Sequence, residues 1–225
     1  MTPATRDKLI VALDVPEYDP ARELVEHLGD EVSFYKIGLE LVFSGGLDLA
    51  QELKNEGKRV FLDMKLLDIG NTVERAVATA AALGVDFLTI HGHDRKTLAA
   101  AAKGRGSSQL KILAVTVLTS LDANDLAEQG ASMAPADLVL HRARMAHEAG
   151  IDGVIASGQE AARVRAATSP DFLIVTPGIR LPGGDAGDQT RITTPQQALR
   201  DGANHLVVGR PINAAPDPVA AARTF

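Results

Sequence analysis

One short segment combines carboxylate and amino side chains at a spacing suited to acid–base chemistry. Residues 61–72 read FLDMKLLDIGNT, with Asp63 and Lys65 two residues apart and Asp68 close behind. In a β-strand, side chains two residues apart project to the same face, so Asp63 and Lys65 are expected to lie together. A carboxylate and an ammonium group 4 Å apart attract each other by about 4 kcal/mol at an effective dielectric constant near 20. Paired charges of this kind carry out proton transfer and electrostatic stabilisation.

Lys36 belongs to an earlier apolar run and is expected to reach the same space. An alternating array of Lys36, Asp63 and Lys65 would keep each charge paired in a buried site that would otherwise exclude it. The alternative is an ion pair inside the protein that only fixes packing, although the interior of a parallel barrel is normally filled by branched apolar residues.

A second cluster, near the end of the chain, is typical of phosphate binding. Pro177–Arg180 (PGIR) leads into a Gly-rich segment that carries Gln189, and Gly209 and Arg210 follow the apolar run before them. A glycine lets backbone N–H groups approach an oxyanion, and arginine supplies planar charged donors. The Gly-rich segment could fold over a ligand as a lid. The alternative is a surface loop with one arginine.

Short apolar runs alternate with amphipathic runs along the chain, which predicts repeated strand–helix units. Eight units of roughly 28 residues each favour an α/β fold of the (β/α)₈ TIM-barrel type, with a doubly wound open sheet as the alternative. No Pro/Gly-rich linker divides the sequence, so residues 1–225 are predicted to form one domain. The predicted strands are Lys8–Val15, Ser33–Ile37, Arg59–Lys65, Phe87–His91, Lys111–Leu118, Gly153–Ala156, Phe172–Thr176 and His205–Gly209.

Polar residues stand at the end of every predicted strand, where a barrel of this type has its active site. Each could also be a salt bridge at the rim or a helix cap, but their recurrence at all eight ends favours one shared site. Besides the residues above, these strand ends include Asp14, His91, Thr119, Ser120 and Ser157.

Composition excludes several classes of protein. The net charge of −6 makes the chain a poor binder of nucleic acid polymers. The absence of cysteine excludes disulfides and thiol nucleophiles, and no two histidines have the H-x-x-x-H spacing of zinc ligands on one helix face, so no metal site is predicted. No apolar run is long enough to span a membrane, and no signal peptide is evident, so we expect a cytoplasmic protein.

Taken together, these motifs resemble those of the orotidine 5′-monophosphate decarboxylase family in its common bacterial form. The resemblance covers almost the whole chain in the expected order. The D-x-K-x-x-D-I-x-N-T segment is its specific part, whereas VGRPI alone would be weak. The matching segments are VALDV (11–15), YKIG (35–38), FLDMKLLDIGNT (61–72), AVTVLTS (114–120), VTPGIR (175–180), GDQTRITTPQQAL (187–199) and VVGRPI (207–212).

The resemblance implies a role for each matching residue. Lys65 would donate the proton to carbon 6 of the pyrimidine, and Lys36, Asp63 and Asp68 would complete the charged network. The resemblance also implies a homodimer in which Asp68 and Thr72 would reach the partner's site. The remaining residues would bind substrate: Asp14 and Thr72 the ribose, Thr119 and Ser120 the pyrimidine, and Arg180, Gln189, Gly209 and Arg210 the phosphate. No cofactor is expected, because nothing in the sequence resembles a pyridoxal or thiamin site.

The sequence departs from the family pattern at two places. The family usually has proline where this chain has Gly70, and it commonly has a small residue and Gly-Gly where this chain has Gly92-His93-Asp94 after His91. Both positions affect loop geometry and leave the charged network intact.

Three functions are compatible with these patterns. The first is decarboxylation of orotidine 5′-monophosphate to uridine 5′-monophosphate. The second is that of a related barrel enzyme with the same D-x-K-x-x-D motif, such as the Mg²⁺-dependent aldolase hexulose-phosphate synthase. The third is a non-catalytic sensor that keeps the barrel and the anion site. The Asn71-Thr72 pair and the Gly-Asp-Gln sequence favour the first function.

Overall fold

Eight parallel strands of the described chain close into a barrel in which each strand pairs with its neighbours in sequence order, and β8 pairs with β1. The structure, a computed structural model, describes residues 6–183, 187 and 191–225. The predicted TIM barrel is thus confirmed. The strands are β1 Leu9–Ala12, β2 Phe34–Gly38, β3 Arg59–Leu66, β4 Phe87–His91, β5 Lys111–Val115, β6 Gly153–Ile155, β7 Leu173–Thr176 and β8 His205–Val208.

Helices connect successive strands around the outside of the barrel. Several begin at a side chain that caps free backbone N–H groups: Asp94 accepts from the N–H of Thr97, and Thr194 accepts from that of Gln197. The helices are α1 Tyr18–Leu28, α2 Leu39–Leu41, α3 Leu47–Asn55, α4 Gly70–Ala82, α5 Arg95–Arg105, α6 Ala123–Glu128, α7 Pro135–Glu148, α8 Ala161–Ala167, α9 Pro195–Arg200, α10 Arg210–Asn213 and α11 Pro218–Ala222. Among these described helices, none is long and apolar enough to cross a membrane.

Alternation along the strands separates two apolar layers. Alternate residues of β1, such as Leu9 and Val11, pack outward against the helices, whereas Ile10 and Ala12 point into the barrel. The interior cluster consists of Ile10, Ala12, Phe34, Phe61, Phe87, Leu113, Val175 and Val207. These side chains fill the lower part of the barrel and form an apolar layer below the carboxyl ends of the strands.

The same alternation places charges directly above this layer. Lys36 lies two residues after Phe34, and Asp63 two residues after Phe61, so both charged side chains follow an inward-facing ring on their own strand. Register reinforces the arrangement, because Lys36 is paired with Phe61 and Gly38 with Asp63 across β2 and β3. An apolar layer therefore changes to a charged layer at the carboxyl ends of the strands.

Strand β5 is shorter than the sequence predicts, ending at Val115 instead of Leu118. The backbone carbonyls that follow it are taken by arginine side chains. Arg142 donates to the carbonyl of Thr116, and Arg191 donates to those of Val117 and Leu118. Val117 and Leu118 leave the sheet and form part of the wall of the cavity above it.

Candidate active site

A cavity of about 450 Å³ opens at the carboxyl ends of the strands. It is lined by most of the residues that the sequence marks as candidates, contributed by six of the eight strands or by the loops after them. The predicted residues on its wall are Asp14, Lys36, Asp63, Lys65, Thr119, Ser120, Arg180, Gly209 and Arg210.

Four side chains in this cavity form a row of alternating charge. Lys36 Nζ lies 2.8 Å from Asp14 Oδ1 and 3.5 Å from Asp63 Oδ2. Lys65 Nζ lies 2.8 Å from the same Asp63 oxygen. Asp63 therefore sits between two ammonium groups, and each charge in the row has a neighbour of opposite sign.

Burial and pairing together fix the charge states of the centre of this row. Burial lowers the pKa of Lys36, but the attraction of Asp63 and Asp14 outweighs this effect, and the pKa lies above its ordinary value. Burial likewise raises the pKa of Asp63, but Lys36, Lys65 and the hydrogen bonds from Lys65 and Thr89 outweigh it, so the pKa lies below its ordinary value. Both groups stay ionised around neutral pH.

Lys65 occupies an unusual position in the backbone. Between Leu62 and Leu66 the pairing of β3 with β4 shifts, so that four residues of β3 span the same stretch as two of β4. Lys65 has a φ of +49°, and it is the one non-glycine residue with positive φ in the part of the chain described. Such a conformation costs roughly 1–2 kcal/mol and persists only where neighbouring contacts impose it. Asp63 and Lys65 both line the cavity, as predicted, but the strand is bulged between Leu62 and Leu66. The regular alternation of side chains that the sequence predicts does not hold in this stretch.

Thr89 holds this bulge in place, and the sequence reasoning missed it. Its hydroxyl donates to Asp63 Oδ1 at 2.9 Å, and its oxygen accepts the backbone N–H of Lys65 at 3.0 Å. The side chain is fully buried in β4. The available signal was a single hydroxyl within the apolar run FLTIH, two residues before the strand end.

Cationic side chains line the cavity beside the last two strands. Arg180 is buried and follows β7, whereas Arg210 is exposed and begins α10 directly after β8. A Cβ added to Gly187 would lie 2.8 Å from Arg210 Nη1, so the backbone at 187 approaches this guanidinium closely. The arrangement can bind an anion from two sides. Gln189, assigned to the same function, lies outside the described residues.

Two candidates do not reach the cavity of their own chain. Asp68 and Thr72 are both exposed and do not line it. Their neighbours Leu67 and Ile69 are 51% and 78% exposed, which is high for large apolar side chains. The helix α4 begins at Gly70, the position at which the family usually has proline, and proline is well tolerated at the first helical residue. The departure at Gly70 is therefore compatible with the observed helix start.

No arrangement of three or more His, Asp or Glu side chains suited to a metal ion occurs among the residues described. The rings of His91 and His93 lie against each other beside the main cavity, with centres 4.5 Å apart and planes inclined by 40°. Burial lowers the pKa of His93 to about 4, with a further contribution from Arg142.

Comparison with known proteins gives a consistent result. Residues 7–225 match the orotidine 5′-phosphate decarboxylase / HUMPS family. The chain is 54% identical over 223 residues to an orotidine 5′-phosphate decarboxylase of Rhodopseudomonas palustris, covering 99% of this chain and 94% of the relative. An enzyme of the same name from Methylorubrum populi is 55% identical over 220 residues, covering 98% and 94%.

A solved structure agrees with these sequence relatives. The crystal structure of an orotidine 5′-phosphate decarboxylase from Lactobacillus acidophilus superimposes with a TM-score of 0.84 at 38% identity, covering 96% of each chain. The likeness thus extends over nearly the full length of both chains.

Proposed function

Because the chain belongs to the orotidine 5′-phosphate decarboxylase / HUMPS family, we propose that it decarboxylates orotidine 5′-monophosphate to uridine 5′-monophosphate. This carboxy-lyase reaction is the last step of pyrimidine nucleotide synthesis that leads to UMP. The observation that carries the proposal is the contact of 2.8 Å between Lys65 Nζ and Asp63 in a cavity that also holds Arg180 and Arg210.

The reaction needs charge placement more than covalent chemistry. Loss of CO₂ leaves an electron pair in an in-plane orbital at carbon 6, where the π system of the ring does not delocalise it. Most decarboxylases use a cofactor as an electron sink. We infer that this enzyme uses none, and that the ammonium group of Lys65 stabilises the developing carbanion directly and then protonates it.

Asp63 and Lys36 are assigned supporting roles in the same step. Asp63 fixes the direction of the Lys65 side chain through their contact of 2.8 Å, while Lys36 compensates the Asp63 charge from the other side. The low pKa of Asp63 and the raised pKa of Lys36 support this assignment, because both groups keep their charges while the proton leaves Lys65. A preorganised array needs no reorientation during the reaction.

The remaining lining residues are assigned to the substrate by their place around the cavity. Asp14 would accept a ribose hydroxyl, and Thr119 and Ser120 would contact the pyrimidine. Arg180, Gly209 and Arg210 would bind the phosphate, and Gln189 keeps this assignment from the family motif alone. Phosphate binding lies apart from the bond that breaks, but its energy lowers the barrier by ordering the site.

We further propose that the active form is a homodimer. Asp68 and Thr72 stand beside the exposed side chains of Leu67 and Ile69, and none of the four lines the cavity of its own chain. A symmetric contact through this surface would cover the two apolar side chains and bring Asp68 and Thr72 to the partner's substrate. The charged network is completed by Asp68 in this arrangement.

Two further assignments follow the same reasoning. Residues 1–225 are proposed to act as one catalytic domain, because the strands of the barrel are drawn from almost the entire chain. A cytoplasmic location fits an enzyme of nucleotide synthesis. No nucleic acid polymer or membrane is required as a partner.

The direct test follows the ultraviolet absorbance of orotidine 5′-monophosphate mixed with the purified protein, in the presence of EDTA. Conversion to uridine 5′-monophosphate is expected, with one CO₂ released per nucleotide. Tight nucleotide binding without product would instead indicate a sensor. A requirement for Mg²⁺, with aldol chemistry on a sugar phosphate, would identify the synthase branch of the family and contradict the proposal.

A further inference from the structure

Arg191 is a buried arginine that lines no part of the cavity but contacts the loop that does. Its side chain is 10% exposed. Nη2 donates to the carbonyls of Val117 and Leu118, each at 3.1 Å, and Nη1 lies 3.1 Å from Glu160 Oε1. Leu118 directly precedes Thr119 and Ser120, the residues assigned to the pyrimidine. The guanidinium thus contacts the backbone that leads into the residues assigned to the pyrimidine.

The backbone of the same residue belongs to the phosphate side of the site. Ser157 Oγ donates to the carbonyl of Arg191 at 3.2 Å. Two residues later, Thr193 exchanges backbone hydrogen bonds with the segment after β7: it accepts from the N–H of Arg180 at 3.0 Å and donates to the carbonyl of Gly178 at 3.2 Å. Thr193, two residues after Arg191, is therefore paired with the segment that carries Arg180.

The two sets of contacts meet in one residue. The side chain of Arg191 holds the loop after β5, and its main chain runs into the pairing with 178–180. Glu160 holds the guanidinium from the third side and is itself 5% exposed. The two terminal nitrogens of the planar guanidinium divide these partners, with Nη1 bound to the carboxylate and Nη2 to the two carbonyls, and the single nitrogen of a lysine ammonium does not occupy both positions.

We propose that Arg191 is a positioning residue that couples the phosphate side of the site to the pyrimidine side. Phosphate binding at Arg180 fixes the segment paired with it, Arg191 transmits that position to Val117 and Leu118, and Thr119 and Ser120 are thereby aligned on the ring. The proposal rests on the proposed function, since it assigns the two sides of the cavity to two parts of one nucleotide.

The experiment compares kcat/KM for orotidine 5′-monophosphate with kcat/KM for orotidine, the same molecule without its phosphate. The coupling operates only when a phosphate is bound, so substitution of Arg191 should lower kcat/KM for the nucleotide more than kcat/KM for orotidine. For Arg191→Lys we expect a loss on the order of 10- to 100-fold with the nucleotide, as for a misplacement of about 1 Å. The loss with orotidine should stay within about threefold.

A second variant separates coupling from folding. Arg191→Met alone would leave Glu160 buried without its partner, which is destabilising. The double variant Glu160→Leu/Arg191→Met removes both charges, and apolar replacement of a buried ion pair is often neutral for stability. We expect this protein to melt close to the wild-type temperature and still to show the nucleotide-specific loss.

Arg165 offers a matched control at the opposite end of the barrel. It also serves backbone carbonyls, donating to those of Ser169, Phe172 and Gly202, but none of these lies near the cavity. Arg165→Met should lower the melting temperature and leave the ratio of the two kcat/KM values unchanged.

Two results would overturn the coupling. One is an equal fractional loss with nucleotide and nucleoside in the Arg191 variants. The other is a double variant that has both the stability and the nucleotide turnover of the wild type. That result would make Arg191 a purely structural residue. A wild-type protein that does not convert the nucleotide at all would instead contradict the proposed function, so the two failures are distinct.

Discussion

The ammonium group of Lys65 lies 2.8 Å from the Asp63 carboxylate although Lys65 has left regular strand geometry, with φ at +49°. The contact depends on the bulge in β3 and on Thr89, which binds both the Asp63 side chain and the Lys65 backbone. Strained backbone of this kind concentrates at functional sites, where it preorganises a side chain. In the proposed reaction, this geometry holds the proton donor in place before substrate arrives.

The absence of a side chain at Gly38 leaves space for the ion pair between Lys36 and Asp14. A Cβ at this position would lie 3.0 Å from both Lys36 Nζ and Asp14 Oδ1. Gly38→Ala should therefore displace the Lys36–Asp14 pair while the barrel still folds. We expect kcat/KM for orotidine 5′-monophosphate to fall about 10-fold or more, since small displacements in such sites are costly. Steady-state kinetics and a melting curve together check this.

Gly70→Ala serves as the matched control for Gly38→Ala. The nearest atom to a Cβ at Gly70 is the Cβ of Ala100 at 3.6 Å, an ordinary van der Waals contact outside the cavity. This variant should keep wild-type kinetics. Equal activity in both alanine variants would show that the Lys36–Asp14 contact does not depend on the space at Gly38.

Mixed dimers test whether Asp68 acts in the partner's site. Lys65→Ala and Asp68→Asn should each be nearly inactive as homodimers. In a mixed dimer, one site would combine the intact Lys65 of one chain with the intact Asp68 of the other. An equal mixture should thus regain about a quarter of the wild-type activity, because half of the dimers are mixed and each has one intact site.

The measurement is turnover after the two inactive proteins are unfolded and refolded together, with native mass spectrometry to quantify mixed dimers. Refolding each variant alone gives the baseline. If mixed dimers form and activity stays at that baseline, Asp68 acts within its own chain, or outside the site altogether.

The barrel was predictable because its signals repeat along the chain. Eight apolar runs, each short and bounded by polar residues, indicate strands buried on both faces. The strand ends then identified the side chains around the cavity, because the carboxyl ends of parallel strands meet at one face. Asp14, Lys36 and Lys65 were all located by this rule.

Features that depend on tertiary contacts were not predictable from local pattern. The sequence run from Lys111 to Leu118 has the composition of a longer strand than β5, but β5 ends at Val115, and the carbonyls of Val117 and Leu118 accept hydrogen bonds from Arg191. The bulge at Lys65 likewise depends on Thr89 in the neighbouring strand. Arg191 lies within the matching segment 187–199, but no local pattern indicates its contact with the carbonyl of Val117, because the two residues are 74 positions apart in the chain.

His205 should make the protein sensitive to acid. It lies at the lower end of the barrel against the rings of Phe34 and Phe87, and burial, together with Arg59, lowers its pKa to about 4. In the unfolded chain the histidine pKa is about 6.5. Between these values the unfolded state binds a proton that the folded state does not, so the free energy of unfolding falls as pH falls from 6.5 to about 4.

The loss attributable to His205 is up to about 3 kcal/mol across that interval. Other groups near the ring are Lys8, which opposes its protonation, and Asp7, which favours it. His205→Phe keeps an aromatic ring in the cluster and removes the titration. Urea unfolding at several pH values should show a flatter pH dependence for the variant between 6.5 and 4. Equal slopes for the two proteins would contradict the assignment.

Lys65 carries the central claim, and replacing it gives the most direct measurement. The rate of conversion of orotidine 5′-monophosphate by Lys65→Ala is compared with that of the wild type, alongside the affinity of each protein for uridine 5′-monophosphate. With the charge and the proton donor both removed, we expect kcat to fall by a factor on the order of 10⁴ or more. Nucleotide binding should persist through the arginines. Turnover near the wild-type rate in this variant would contradict the account.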